Sequence, residues 1–224
     1  MVKRISLFLI IVSSFWTVPF AFDMFLYANS VQNEIKEYQK IDYTQFHSGD
    51  IIFHTSKSSQ SLAIQLATKS KFSHVGIIYK KGNEYFVFEA IQPVQTTPLN
   101  KWISRGEDGH FTVMRLDKFW NGIDSVSLKK LYLSGERYNK KNYDLYFEWS
   151  DERIYCSELV WKVYKDALNI EIGKLQKLSE FDLTNETVKK KLVERYGNKI
   201  PLDEPVISPQ SIFESDQLRL VISR

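Results

Sequence analysis

The stretch SHVGIIYKKGNEYFVFEA, residues 73–90, decides the fold, because it reads as two apolar strands joined by a polar turn. Runs of this kind predict a β-hairpin with antiparallel strands. Two chemically active groups interrupt the apolar pattern, His74 near the start and Glu89 near the end. Whether the imidazole and the carboxylate meet depends on the length of the turn.

Two loops of two residues fit this hairpin, and both bring His74 and Glu89 to one face. A Lys81–Gly82 loop sets the two residues directly opposite each other, with Cβ atoms roughly 4.5–5.5 Å apart. A Gly82–Asn83 loop makes them diagonal neighbours, roughly 7–8 Å apart. In this second register Glu89 lies opposite Gly76. A three-residue loop would put the two side chains on opposite faces.

A carboxylate beside a histidine favours the imidazolium and fixes the tautomer of the ring. A general base needs this kind of orienting partner. The alternative is a purely structural ion pair at the rim of the sheet, since such pairs also perturb pKa values. The hairpin alone leaves both interpretations open.

The rest of the chain alternates strand and helix patterns. Strands are predicted over 49–56 and 111–116, and helices over 58–70, 97–106, 124–138, 155–168, about 186–196 and 208–213. In the helix over 97–106, Thr97 is the expected N-cap and Pro98 the expected first-turn residue. This mixture predicts an α+β domain whose antiparallel sheet is packed with helices.

The N-terminus carries an export pattern. Lys3 and Arg4 precede an uncharged run over residues 5–22, as in a signal peptide, and the run is also long enough to serve as an anchor. The basic residues direct the rest of the chain outward in both cases. We expect the following organisation: 1–22 signal peptide or N-terminal anchor, 23–45 connector, 46–224 folded domain. The domain would lie in the periplasm or at the outer face of the membrane, attached to it where residues 1–22 are retained.

The bulk composition argues against several classes of partner. The 224 residues carry a formal net charge of only +3. The tightest basic run, Lys189 to Lys191, falls in a helical pattern, so a solvated helix face explains it better than a nucleic-acid site. Four histidines and one cysteine provide no metal-ligand spacing, so no metal or other cofactor is expected.

Cys156 is the single cysteine of a chain that we expect outside the cytoplasm, where free thiols oxidise. It begins the predicted helix over 155–168, and a helix N-terminus stabilises a thiolate. It also precedes Leu159 and Val160 by one turn, on the apolar face, where free cysteine behaves as a small core residue. Cysteine, histidine and an orienting acid together form the set of groups used for acyl transfer.

Several segments resemble a known family in order and in wording: GDIIF, SSQSLAIQLAT, SHVGI, FEA, TPLNKWI, YDLYFEWSDERIYCSELVWKVY, LSEFDL and ISPQSIF. Over about residues 46–215 the chain resembles the YiiX-like group of permuted papain-like cysteine hydrolases, relatives of the NlpC-type cell-wall peptidases. In unpermuted relatives the cysteine precedes the histidine, whereas here His74 comes before Cys156. The resemblance implies a circularly permuted papain-like fold without a cofactor or metal.

The resemblance also implies roles for single residues. Cys156 would be the nucleophile, His74 the general base and Glu89 the group that orients the imidazole. Tyr143 matches a tyrosine that lies in the site of relatives, where it would help to bind the oxyanion. The small turn residues that usually precede this tyrosine are replaced here by Lys140, Lys141 and Asn142.

We therefore expect a cell-envelope cysteine hydrolase that cleaves an amide or ester bond, in a peptidoglycan peptide or a lipid-linked substrate. Two other functions fit the same residues. The first is a lipid acyl hydrolase or acyltransferase, whose acyl chain would suit an aromatic surround made of Phe72, Phe86, Phe88 and Trp149. The second is a non-catalytic, membrane-tethered binding domain with a vestigial site.

Overall fold

The computed structural model describes residues 23–29, 41–58 and 60–224. The predicted signal peptide or anchor over 1–22 lies outside the described residues, as does 30–40 of the predicted connector. The chain divides into two compact units, Met1–Tyr43 and Thr44–Arg224. In the first unit, residues 23–29 form helix α1. Within the described ranges, none of the helices has the length and apolar character that crossing a bilayer requires.

The second unit contains all the elements that carry the predicted site. Its strands are β1 (Ile51–His54), β2 (His74–Lys81), β3 (Glu84–Glu89), β4 (Gln95–Pro98), β5 (Thr112–Leu116), β6 (Asn142–Tyr143), β7 (Arg153–Ile154), β8 (Gln176–Lys177), β9 (Pro205–Val206) and β10 (Leu218–Ser223). Its helices are α2 (Ser61–Thr68), α3 (Leu99–Ser104), α4 (Ser125–Glu136), α5 (Cys156–Leu168), α6 (Glu186–Tyr196) and α7 (Pro209–Phe213).

A six-stranded sheet in the order β10-β5-β1-β2-β3-β4 forms the centre of this unit. Every neighbouring pair in it is antiparallel. Helix α5 packs against β2 and against α4, so its apolar face closes the core over the middle of the sheet. The predicted α+β architecture with an antiparallel sheet is thereby confirmed.

The hairpin uses the Gly82–Asn83 loop. Lys81 pairs with Glu84 and Ile78 with Val87, and Gly82 takes the positive φ that this turn requires. Extending the register sets Glu89 opposite Gly76. A Cβ at Gly76 would lie 2.4 Å from Val87 Cγ1 and 3.4 Å from Glu89 Cβ, so glycine lets the strand that carries Glu89 approach closely.

The helix predicted over 97–106 begins later than the sequence indicates. Thr97 and Pro98 belong to β4, and α3 starts at Leu99. Thr97 is therefore not the N-cap, because its hydroxyl donates instead to Glu89 Oε1 at 2.6 Å. The predicted capping by Thr97 was wrong: Pro98 is the N-cap of α3, no side chain caps the helix, and Thr97 is held by a long-range hydrogen bond in the sheet.

Strand β10 had no counterpart among the predicted elements. It pairs with β5 at the edge of the sheet, and its register shifts between Leu220 and Ile222. Its residues are exposed or half-buried throughout, so no strict alternation of apolar and polar residues marks it in the sequence.

A buried ion pair connects the entry to β1 with β5. Asp50 accepts hydrogen bonds from Arg115 Nε at 2.6 Å and Nη2 at 2.8 Å, and both side chains are almost inaccessible to solvent. The guanidinium also donates to the main-chain carbonyls of Gln45 and Trp120. The pair is therefore fully hydrogen-bonded, which a buried charge requires.

Replacing Arg115 by Met should lower the free energy of unfolding by about 3–5 kcal/mol, because Asp50 is left as a buried, unpaired carboxylate. Urea denaturation measures this loss. Arg219→Met is the matched control: the ion pair of Arg219 with Asp117 is half-exposed, so its loss should change stability by less than about 1 kcal/mol. Equal effects of the two substitutions would contradict this account of the pair.

Candidate active site

His74 and Glu89 meet at one end of the hairpin. His74 is the first residue of β2 and Glu89 the last residue of β3, and His74 Nε2 lies 2.7 Å from Glu89 Oε2. His74 is 8% exposed and Glu89 is fully buried. The two-residue loop thus brings both groups to one face, and they are in direct contact even though they are diagonal neighbours.

The second carboxylate oxygen of Glu89 is also occupied. Oε1 accepts hydrogen bonds from Thr97 Oγ1 and from Arg105 Nη2. Arg105 is the residue directly after helix α3. Burial alone would raise the pKa of Glu89, but the hydrogen bonds and charges of His74, Thr97 and Arg105 lower it. Glu89 is therefore a carboxylate whose two oxygens both have fixed partners.

Cys156 is brought to the other side of the His74 ring by helix α5. It is the first residue of that helix, it is 3% exposed, and its thiol interacts with the imidazole closely enough to raise the pKa of His74. Because Glu89 occupies Nε2, the ring nitrogen that faces the thiol is Nδ1. Cys156 also belongs to the apolar core. It therefore combines the two alternatives that the sequence left open, a thiol at a helix start and a small core residue.

The charge state of His74 follows from these two partners. Burial would lower its pKa, but the hydrogen bonds and negative charge of Cys156 and Glu89 outweigh burial and raise the pKa to about 9. The imidazole is therefore protonated at neutral pH. A protonated imidazole next to a cysteine favours the thiolate, which is the nucleophilic form.

A stack of rings holds the plane of the imidazole. His54 lies directly across from His74 on β1, and their ring centroids are 5.2 Å apart. Trp102 of α3 stacks on His54 at 3.9 Å and lies 5.8 Å from His74. Burial and the neighbouring charges of His74 and Arg105 lower the pKa of His54 to about 2. This second histidine is therefore uncharged, and its ring packs beside that of His74.

Tyr143 lies near Cys156 and is held by two residues that the sequence did not indicate. Its hydroxyl accepts a hydrogen bond from Gln60 Nε2 at 3.0 Å, and Gln60 Oε1 accepts one from Arg195 at 2.7 Å. Burial, followed by the charge of Cys156, raises the pKa of Tyr143, so the hydroxyl stays protonated. The unusual turn before it forms nevertheless, because Lys140 adopts a left-handed backbone with φ +66°.

The orientation of the Gln60 amide is determined by its partners. A guanidinium only donates hydrogen bonds, so the Gln60 atom that faces Arg195 must be the oxygen. The amide NH₂ group then faces Tyr143 and donates to it. Tyr143 therefore keeps its own proton available for another acceptor.

Sequence reasoning identified the imidazole, the carboxylate, the thiol and the tyrosine, but it missed the groups that fix them. Arg105, Gln60 and Arg195 each reach the site from a distant segment of the chain. Local patterns of hydrophobicity or capping do not predict contacts between distant segments. The nearest signal was Arg105, a charged residue near the end of TPLNKWISRG, the segment that follows the hairpin.

Replacing Glu89 by Gln should lower the pKa of His74 below about 9, because the charge of the carboxylate is lost while burial still lowers the pKa. An NMR titration of the imidazole resonances measures this value. Glu84→Gln, an exposed position at the other end of β3, is the control and should leave the titration unchanged. A His74 pKa that stays near 9 in Glu89→Gln would show that the carboxylate does not set its charge.

Comparison with known proteins supports the resemblance that the sequence motifs indicated. Residues 45–222 match a family described as permuted papain-like amidase enzymes, the YaeF/YiiX or C92 family. The chain is 49% identical over 177 residues to the uncharacterized protein YiiX of Escherichia coli strain K12, covering 79% of this chain and 86% of that protein.

A solved structure is similar to the same extent. It is a crystal structure of yiiX from Escherichia coli O157:H7, described as a metalloprotein, with a TM-score of 0.77 and 49% identity. The match covers 80% of this chain and 98% of that one. The family match spans most of the second compact unit, and it confirms the prediction of a permuted papain-like fold. The chain therefore belongs to the permuted papain-like amidase family.

Proposed function

We propose that this protein is a cysteine hydrolase that cleaves an amide or ester bond through an acyl-enzyme on Cys156. The observation that carries the proposal is the buried set of thiol, imidazole and carboxylate, in which His74 is hydrogen-bonded to Glu89 and its pKa is raised by both Cys156 and Glu89. An ordinary core cysteine has no need of a protonated histidine, and a rim ion pair has no need of a thiol. The family supports a hydrolase of the amidase type.

In the proposed reaction the Cys156 thiolate attacks the carbonyl carbon, and the C–N or C–O bond of the leaving group then breaks. His74 donates its Nδ1 proton to the leaving group, and the Glu89 carboxylate stabilises the imidazolium before that transfer. Neutral His74 next removes a proton from a water molecule. That water attacks the thioester, which releases the acid and restores the thiolate.

Two donors are available for the negative charge that develops on the carbonyl oxygen. One is the main-chain N–H of Cys156, whose position at the start of α5 leaves it outside the hydrogen bonds of the helix. The other is the hydroxyl of Tyr143, whose proton the Gln60 amide leaves unused. Preorganised donors of this kind are often the largest single contribution to catalysis.

We further propose that the enzyme acts outside the cytoplasm, on a peptidoglycan peptide or a lipid-linked amide or ester. Support comes from the sequence of residues 1–22 and from the basic pair that precedes the apolar run. Residues 1–22 would be removed as a signal peptide or would attach the enzyme to the membrane. Fractionation of cells that produce the full chain tests this placement, and recovery of the protein in the cytosol would contradict it.

The similar crystal structure is described as that of a metalloprotein, so we tested whether this site fits a metal ion. In the part of the chain that the structure describes, no three His, Cys, Asp or Glu side chains converge as ligands. Both oxygens of Glu89 are engaged by His74, Thr97 and Arg105. This donor set does not fit a metal ion, and the proposed reaction contains no metal-dependent step.

Replacing Cys156 by Ala should abolish formation of an acyl-enzyme, and His74→Ala should slow turnover by about 10²–10⁴. Stopped-flow hydrolysis of p-nitrophenyl esters gives the rates, and intact-protein mass spectrometry identifies the acyl adduct. His110→Ala, at an exposed histidine, is the control and should leave both unchanged. An adduct that persists in Cys156→Ala, or wild-type rates in His74→Ala, would overturn the proposal.

The hydrogen bonds that join Arg195, Gln60 and Tyr143, called here the Gln60 relay, provide a second test. In Gln60→Glu the new carboxylate accepts the Tyr143 proton, so the oxyanion loses that donor and kcat should fall about 10²–10³-fold with little change in KM. Tyr143→Phe should give a similar loss, and the double variant should be no slower than either.

Gln60→Met, of similar length but unable to accept that proton, is the matched comparison for this relay. It should retain more activity than Gln60→Glu. Equal losses of kcat in Gln60→Glu and Gln60→Met would show that Gln60 acts only through packing and not by orienting the Tyr143 proton.

A further inference from the structure

A small apolar cavity adjoins Cys156. It has a volume of about 80 Å³, and its walls include Ile64 of α2, Phe147, Phe181 and Val206 of β9. Among the described residues that line it, none apart from the cysteine can carry a charge at neutral pH. An uncharged recess beside a nucleophile is a natural place for part of a substrate.

The hydroxyl groups of the residues that line the cavity form hydrogen bonds with the main chain. Each is engaged by the main chain, in four hydrogen bonds: Thr68 Oγ1 to the carbonyl of Ile64 at 2.8 Å, Ser157 Oγ to the carbonyl of Ile207 at 2.8 Å, the amide of Ser211 to Ser208 Oγ at 3.0 Å, and the amide of Ile207 to the Tyr155 hydroxyl at 3.1 Å. A charged group placed in the cavity would therefore lose its hydration without meeting a side chain of opposite charge.

The wall at Phe147 is held in an uncommon conformation. Its backbone has φ +51°, a region that a bulky residue rarely occupies without support. Tyr155 contacts the ring edge-to-face at 5.0 Å, and the Arg195 guanidinium covers it at 4.7 Å. These two contacts fix the ring, so the recess has a defined shape.

The position of the cavity relative to His74 tells which part of a substrate would enter it. The lining comes from α2, α5 and the segments 147, 178–181 and 206–209, whereas His74 belongs to β2. The leaving group must lie on the His74 side, because that imidazolium protonates it. Cys156 borders the recess and His74 does not, so the acyl substituent, which becomes bonded to Cys156, is the part of the substrate that can extend into it.

A larger and polar cleft, about 1120 Å³, adjoins the recess and shares Thr68, Phe181 and Ser208 with it. Its walls carry five carboxylates and two lysines: Glu171, Glu180, Asp182, Glu214, Asp216, Lys69 and Lys174. A long acyl chain that overflowed the recess would meet this charged surface. The apolar volume beside Cys156 is therefore limited.

We propose that this recess is the acyl-binding subsite and that it selects a short, branched, uncharged acyl group of about three to five carbons, since its volume is about half of the ~150 Å³ that holds benzene in an apolar cavity. This inference rests on the proposed function and names its substrate class. It disfavours a long-chain lipid substrate.

The aromatic residues predicted to accommodate an acyl chain lie elsewhere. Phe72 and Phe88 are buried in the core, and Trp149 packs against Trp161. None of these three, nor Phe86, borders the recess.

The test compares acylation of Cys156 by p-nitrophenyl acetate, isovalerate, octanoate and monosuccinate, using the full chain. We expect isovalerate to acylate at least about tenfold faster than each of the others, the usual selectivity of an apolar pocket for a methylene-sized difference. Ile64→Phe fills the recess and should lower the isovalerate-to-acetate ratio at least about tenfold. Val206→Ala enlarges it and should move the optimum to longer branched acyl groups, which keeps the test informative if Ile64→Phe does not fold.

Leu62→Phe is the matched control, because Leu62 lies on the same helix but is exposed. It should leave the ratio unchanged. A flat profile, or a preference for octanoate or monosuccinate, overturns the subsite but leaves the acyl-enzyme intact. No acylation of wild-type protein by any of the four esters, above the level of Cys156→Ala, overturns the proposed function and the subsite with it.

Discussion

The whole site depends on one buried carboxylate. A fully buried ion costs several kcal/mol of desolvation unless it is paired and hydrogen-bonded, and Glu89 satisfies this condition through His74, Thr97 and Arg105. These partners come from β2, β4 and the end of α3, so the carboxylate determines how three elements meet. The same charge, together with Cys156, raises the pKa of the imidazole and keeps it protonated.

The sequence determines the part of this arrangement that follows from periodicity. Strand alternation restricts His74 and Glu89 to one face for every two-residue turn, and the helix start at Cys156 follows from the apolar pattern that it begins. What periodicity could not decide was the register itself. The Gly82–Asn83 turn fixes the register, since Gly82 takes the positive φ that this turn requires, and Gly76 accommodates the close approach of Val87 and Glu89.

The partners of the site were beyond reach of local patterns. Thr97 was assigned to a helix cap because its neighbours fit that motif, yet the need of a buried carboxylate for a donor outweighs a cap. Gln60 and Arg195 are ordinary polar residues in the sequence, and only the packing of α6 against α2 brings them together. Edge strand β10 escaped detection for a related reason, because a strand that is exposed on both faces loses its alternation.

The order of the groups along the chain has a consequence for folding. His74 and Glu89 belong to one hairpin and can find each other through a short turn, whereas Cys156 reaches them only when α5 docks on the sheet. Contacts between distant segments form later than local ones, since closing a long loop costs more entropy. In a nascent or partly unfolded chain the Cys156 thiol would therefore lack its histidine partner. It would become fully reactive only after α5 has docked on the sheet. Such a delay would keep the proposed hydrolase inactive until it has folded.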